Sequence, residues 1–301
     1  MNDAMIYETH AEALSRVSEG IDNFFDAMLS VPDDARAMLF DAMRYASIDG
    51  GKRLRPLLVH ASSQLFSVDP LHALRAGAAV EAVHVYSLIH DDLPSMDDDD
   101  LRRGKPTVHR QFDEATAILA GDALHALAFE ILTSEATHPD PLVRIELCEE
   151  LARASGPNGM AGGQMMDLAA ASGQFDLATV TRLQHLKTGA LICWCIEAGA
   201  ILGRVPANDR LPLRAFARDI GLAFQITDDL IDVEGDPTLA GKAVGKDEAA
   251  GKETFVSIMG IERARSQANA LVNQAIKKLA NFGAEADLLR AIAAYVVERK
   301  H

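Results

Sequence analysis

Two acidic stretches decide how this chain is read: His90-Asp91-Asp92-Leu93-Pro94-Ser95-Met96-Asp97-Asp98-Asp99-Asp100 and, far downstream, Phe224-Gln225-Ile226-Thr227-Asp228-Asp229-Leu230-Ile231-Asp232. In the second, Asp228 and Asp232 stand four apart, so a helix puts both carboxylates on one face a turn apart. At ~4 Å and an effective dielectric near 20, their repulsion is on the order of 4 kcal/mol. A hard divalent cation bound by carboxylate oxygen reverses that sign. The flanking residues Ile220, Leu222, Ala223, Phe224 and Ile226 are apolar, so this is no solvated acidic tail. In the first stretch, Asp91 and Asp97 are six apart, too far round a straight helix to share a face. Pro94 is expected to end or kink that helix and let Asp97 swing back.

The bland reading of either stretch alone is an exposed acidic loop. Two of them, each ending an apolar helix, make coincidence a poor explanation. An EF-hand is excluded at the first, because Met96 and Arg102 occupy the positions that need Gly and Glu. All the ligand candidates are carboxylates without a His/Cys tetrad, which points to magnesium, with manganese as the alternative, and away from zinc.

Outward from these stretches the chain is helical. Ile21, Phe24, Phe25 and Met28 follow i, i+3, i+4, i+7 spacing, and Pro32 and Asp33 are expected to open a further helix. Leu142, Ile145, Cys148, Glu149 and Ala152 continue the pattern, as do Val180, Leu183 and 186–191. No sustained period-two alternation is present, so no sheet is expected. Breaks fall at Asp49-Gly50-Gly51, 94–106, 156–159 and 235–251, each a short to moderate loop between helical runs and none with the look of a flexible interdomain linker. The expected architecture is all-α, one large helical bundle formed by a single domain over 1–301.

Composition agrees. Of 301 residues, 49% are hydrophobic and only 5% aromatic, with Ala and Leu recurring as good helix formers. The net charge of −15 sets aside nucleic acid and anionic lipid surfaces as partners. Three cysteines without framework spacing point to reduced, buried thiols and a cytoplasmic protein. The most apolar stretch, Ala190 to Gly203, is broken by Glu197 and shorter than the ~20 residues of a membrane span. It reads as a buried helix.

An acidic chain that gathers cations near such stretches is expected to bind an anion. Gly51-Lys52-Arg53-Leu54-Arg55-Pro56 opens a helix, Arg102-Arg103-Gly104-Lys105 follows the first Asp cluster, and Lys187-Thr188-Gly189 lies within a helical run. Lys242, Lys246 and Lys252 lie in the glycine-rich segment after the second cluster. Taken singly, Arg53, Lys105 and Lys246 read as solvated surface charge. As a set the cations suit two diphosphates, one met through metal and one met directly by Arg and Lys.

These motifs together resemble the trans-type prenyl diphosphate synthases, particularly the bacterial farnesyl diphosphate synthases. DDxxxxD at Asp91, Asp92 and Asp97, RRG at 102–104, FQxxDDxxD at 224–232, GKRLRP at 51–56, GGQxxDL at 162–168 and KTG at 187–189 fall in the family's order. The resemblance runs from about Ile21 to the C-terminus. It implies a helical bundle around a central cavity, a homodimer, and magnesium-dependent head-to-tail condensation of isopentenyl diphosphate with allylic diphosphates. It further implies that Asp91, Asp97 and Asp228 ligate three magnesium ions, with Asp92 and Asp232 in support. Arg102, Lys187, Lys242 and Lys252 are implied contacts to the allylic diphosphate. Lys52, Arg55, His84 and Arg103 are implied for isopentenyl diphosphate, and Thr188 and Gln225 as stabilisers of the cationic intermediate.

His84 could instead be a core histidine, but it precedes Asp91 by two helical turns and so shares its face. Tyr86 and Ser87 lie about 6 Å deeper than Asp91 on the same helix. A small residue there leaves the pocket open and a ring closes it. In the family an aromatic residue five before the first Asp goes with a C15 product, so Tyr86 implies farnesyl diphosphate, with geranyl and geranylgeranyl diphosphate as alternatives. A terpene cyclase would need no second diphosphate site, against which Lys52, Arg55 and Arg103 stand. A non-catalytic partner subunit is expected to lose motif Asp or Arg residues, and none is missing.

Overall fold

The computed structural model describes residues 9–170, 175–234 and 253–299. Helix α1 (His10–Met28) opens on a reciprocal capping box between Thr9 and Glu12 and buries Ala13, Val17, Ile21 and Phe25. It is followed by α2 (Ala37–Ser47), α3 (Leu54–Gln64) and α4 (Pro70–Asp91). The helix expected at Pro32 starts only at Ala37, because the Asp34 carboxylate folds onto Arg36 in a local turn instead of capping.

After α4 comes a two-residue antiparallel pairing of Leu101–Arg102 with Lys105–Pro106, β1 and β2, where no strand was expected. Arg103 and Gly104 take φ of 54° and 77°, the positive values a tight hairpin turn demands at both central positions. So short a ladder leaves no alternation to read.

The chain continues through α5 (Val108–Gln111), α6 (Glu114–Thr133), α7 (Pro141–Ser155), α8 (Met160–Ala170) and α9 (Leu177–Gln184). A π-helical turn over His185–Gly189 joins α9 to α10 (Ala190–Leu202), and then come α11 (Leu211–Glu234), α12 (Phe255–Met259), α13 (Ile261–Lys278) and α14 (Asp287–Glu298). Asp69, Asp113, Asp140 and Asp176 each cap the helix they precede, so part of the acidic excess terminates helices.

One hydrophobic core runs from Ala13 to Val296. Helix α4 is its axis, packed on α3 and α6, while α10 lies on α3 and α11 on α13. Ala76, Gly77, Ala78 and Ala79 are all buried inside the bundle, with α3 running against Gly77 at Pro56. Helix α10 is buried along nearly all its length, as its composition implied. By length and composition alone, Glu114–Thr133 and Leu177–Leu202 are apolar enough to cross a membrane, and both pack on other helices here.

In α7 the helical spacing holds but its direction differs from the simplest reading. Leu142 and Ile145 are 72% and 60% exposed, and the face turned inward carries Val143, Leu147 and Leu151. Both stripes are apolar at helical spacing, so periodicity alone does not choose between them.

Candidate active site

Helix α4 ends at Asp91, with Asp92 as its C-cap. Pro94 does what its stereochemistry requires: the chain leaves the helix, turns, and the Asp97 amide donates to the Asp91 carbonyl at 2.8 Å. Asp97 thus returns beneath the helix end. Burial pushes the Asp91 carboxyl up to about 6; Lys187 and Arg102 draw it down while Asp97 and Asp92 push it further up. Such a cluster is short of positive charge.

Asp92 is buried and held by Arg102, whose Nε lies 2.8 Å from both carboxylate oxygens. On α11, Asp228 and Asp232 stand one turn apart as their spacing dictates. Asp228 Oδ1 is met by Arg299 Nη2 at 2.8 Å. The same guanidinium stacks 3.9 Å from the Phe224 ring centroid and donates to the Phe224 carbonyl. Asp229 points the other way and accepts the Phe255 amide at 2.7 Å, which seats α12. The paired aspartates of this motif are therefore divided, Asp228 toward Arg299 and Asp229 toward the start of α12.

Among the described residues, no three carboxylate, histidine or cysteine side chains converge closely enough to hold an ion unaided. The donor set still fits a hard divalent cation. It is all oxygen, it is split between two helix ends, and it leaves coordination positions for water and phosphate, as magnesium prefers.

Lys187 and Thr188 sit in the π turn, and Lys187 Nζ pairs with the buried Asp167 of α8 at 2.8 Å. A Cβ at Gly163 would stand 2.2 Å from the Lys187 backbone nitrogen, so only glycine lets α8 lie against this turn. Single π turns concentrate at functional sites because the inserted residue redirects side chains. Gln164, beside Gly163, has both amide atoms buried with no hydrogen-bond partner among the described residues. The motif around it was visible, yet the sequence reading assigned it no role. Gln225 and Thr227 are buried on α11 beside Asp228.

The cationic set gathers on the other side. Arg53, read as solvated surface charge, is only 2% exposed and does something else. Its guanidinium reaches Glu81 at 2.8 Å, Asp22 and the Ser47 carbonyl, tying α1, α2 and α4 to the start of α3. Lys105 is exposed, as read. Among the described residues Arg55, the second residue of α3, pairs with no carboxylate, and its Nε is buried without a hydrogen bond. Burial works against its charge, with Cys195, Glu81 and Asp228 acting the other way.

The Arg103 guanidinium lies against Gly50 and Gly51, where a Cβ would meet it at 2.7–2.9 Å, so the hairpin touches the GKRLRP segment directly. His84 lies half-buried on α4, and burial together with Arg55, Arg103, Arg102 and Arg53 holds its pKa well below the usual imidazole value. It is neutral in this cationic corner. His84, Ser87, Leu88 and Asp91 form one half-buried face of α4. Ser87 Oγ donates to the His84 carbonyl at 2.8 Å. Tyr86 lies on the flank toward α6, ring to ring with His125 at 4.8 Å. Lys52 is exposed beside this corner, while Lys242, Lys246 and Lys252 lie outside the described residues.

Known proteins resemble this chain in sequence and fold. The polyprenyl synthetase profile matches residues 36–295. The farnesyl diphosphate synthase of Escherichia coli (strain K12) is 46% identical over 265 residues, 86% of this chain and 88% of its own. The chloroplastic geranylgeranyl pyrophosphate synthase 11 of Arabidopsis thaliana is 43% identical over 90% of this chain and 77% of its own. The solved structure of an FPP/GFPP synthase from Zymomonas mobilis superimposes with a TM-score of 0.88 at 58% identity, covering 96% of this chain and 98% of that one. This chain belongs to the polyprenyl synthetase family.

Proposed function

We propose that this chain is a prenyltransferase that joins isopentenyl diphosphate head to tail to dimethylallyl and geranyl diphosphate, giving farnesyl diphosphate. The observation that carries this reading is the pairing of two charge sets of opposite sign: carboxylates at the ends of α4 and α11, and Arg55 with Arg103 around a neutral His84. A terpene cyclase would have no use for the second set.

Asp91, Asp97 and Asp228 hold the divalent cations, with Asp92 and Asp232 in support. Magnesium, or manganese in its place, supplies positive charge to the departing allylic diphosphate when bound. Arg102 and Lys187 donate to the same diphosphate, and for this Lys187 exchanges Asp167 for phosphate oxygen while Arg102 shares itself with Asp92. Lys52, Arg55, His84 and Arg103 take the diphosphate of isopentenyl diphosphate. As the allylic C–O bond ionises, the Thr188 hydroxyl and Gln225 amide oxygens face the developing carbocation. The bundle excludes the water that would quench it. The isopentenyl double bond attacks, and the released diphosphate takes the proton that is lost.

Tyr86, with Ser87 beside it, sets the depth of the pocket for a C15 chain. The outward apolar faces of α6 and α7, where Ile118, Leu119, Leu142 and Ile145 are 45–72% exposed, support a homodimer in which a second copy covers them. The continuous core supports one domain over 1–301. Three free cysteines support a reducing, cytoplasmic location; burial lifts the Cys193 thiol to about 12 and raises that of Cys195 further.

The test is condensation by purified protein with magnesium, labelled isopentenyl diphosphate and geranyl diphosphate, the products being dephosphorylated and resolved by length. Farnesol is expected, and chelator should abolish it. Diphosphate release from farnesyl diphosphate without any elongation would point instead to a cyclase.

A further inference from the structure

Helices α4 and α6 run antiparallel along their whole length. Near the Asp91 end, His90 Nε2 meets the Ile118 carbonyl at 3.1 Å; deeper, Tyr86 meets His125; beyond the far end of α6, Arg75 Nε donates at 2.9 Å to Thr137 in the turn that follows. Depth below the carboxylates can therefore be read as falling number on α4 and rising number on α6.

Along this seam the rings form a ladder. Tyr86 packs on His90 at 5.7 Å and edge-on to His125 at 4.8 Å, and His125 packs edge-on to Phe129 at 5.4 Å with planes 87° apart. His125 and Phe129 are four residues apart, so Phe129 lies one turn, about 6 Å, deeper. All three rings are half-buried, neither sealed into the core nor open to solvent. Burial disfavours the charged form of His125, which leaves it a flat neutral ring.

We infer that His125 is a specificity-determining residue for product length. It braces Tyr86 in the pocket-closing position and is itself the next stop, with Phe129 behind it. A single ring seated on aliphatic core would stop the chain once; this ladder stops it in steps. The inference rests on the reading of Tyr86 as the floor of a growing prenyl chain.

The test gives wild type, Tyr86→Ala, His125→Ala and the double variant farnesyl diphosphate as starter with excess isopentenyl diphosphate, and resolves the products by length. His125→Ala alone is expected to raise the C20:C15 ratio about five-fold, the ring–ring contact that holds Tyr86 being lost. Tyr86→Ala should give mainly C20, and the double variant C25 or longer. His125→Phe in the Tyr86→Ala background should restore the stop at C20 or shorter. His125→Gln, close in size but without a ring, should behave as His125→Ala and covers the case in which the alanine variant fails to fold. If Tyr86→Ala lengthens the product and neither change at His125 lengthens it further, the role of His125 is overturned while the floor stands. If Tyr86→Ala itself leaves the length unchanged, the floor reading falls and the inference with it.

Discussion

Asp91→Ala and Asp228→Ala are each expected to lower kcat by at least about a thousand-fold, roughly 4 kcal/mol of transition-state stabilisation, while the helical circular dichroism spectrum stays intact. Asp229 bonds the Phe255 amide, whereas Asp228 is partly exposed and its one tertiary tie among the described residues is to Arg299, which keeps its hold on the Phe224 carbonyl and ring without it. Asp91 in fact works against the fold. Its carboxyl is raised to about 6, chiefly by burial, from the ~3.9 of an unfolded chain, so the folded state holds this proton more tightly than the unfolded state does. Its contribution to stability is therefore fully present below the unfolded value and lost as pH rises through about 6. In chelator at pH 7.5, Asp91→Asn should consequently melt at or above the wild-type temperature while being nearly inactive. With metal, which needs the carboxylate ionised, the half-saturating magnesium concentration of wild type should climb as pH falls below about 6. A thermal melt and a magnesium titration at several pH values check both. Near-normal turnover in either alanine variant would remove the carboxylates from the metal site.

Arg55→Ala is expected to raise KM for isopentenyl diphosphate about a hundred-fold and to leave the affinity for geranyl diphosphate within a factor of two or three. The asymmetry follows from the geometry. Among the described residues Arg55 pairs with no carboxylate, and it lies in the corner with Arg103 and His84, whereas the allylic side has Arg102 and Lys187. Losing a charge-assisted contact to phosphate costs roughly 3 kcal/mol, which is the size of the predicted change. Stability should move little or rise, because the Arg55 Nε is buried without a hydrogen bond among the described residues, which is a cost to the fold. Initial-rate kinetics with each substrate varied in turn distinguishes this from general damage, which would raise both KM values together.

What could be read without coordinates follows from where the physics is local. The return of Asp97 toward Asp91 depends on Pro94, three residues away, and the shared face of Asp228 and Asp232 on helical periodicity alone, so both were legible. The opposite orientations of Asp228 and Asp229 were not, since adjacent positions on a helix differ by ~100° and only packing tells which points inward. Arg299 was missed because its partners, Asp228 and the Phe224 ring, are brought to it by the docking of α14 on α11. The π turn leaves no residue signature of its own; Gly163 is its companion, and that contact is between distant helices. Arg53 misled because three cations in four residues read as surface, whereas its positive φ of 45° turns the side chain into the protein toward Glu81. Lys242 and Lys252, assigned to the allylic diphosphate by resemblance, lie outside the described residues.

The central claim is that the two aspartate motifs, from opposite ends of the sequence, clamp one allylic diphosphate through divalent metal. Its most direct measurement is a crystal structure of the protein soaked with manganese and a non-ionising thio analogue of geranyl diphosphate, with the metal located by anomalous scattering. The account predicts manganese peaks between the diphosphate and Asp91 with Asp97 on one side and Asp228 on the other, and Arg299 displaced from Asp228. A diphosphate bound in the Arg55–Arg103–His84 corner with no metal at either motif would contradict it.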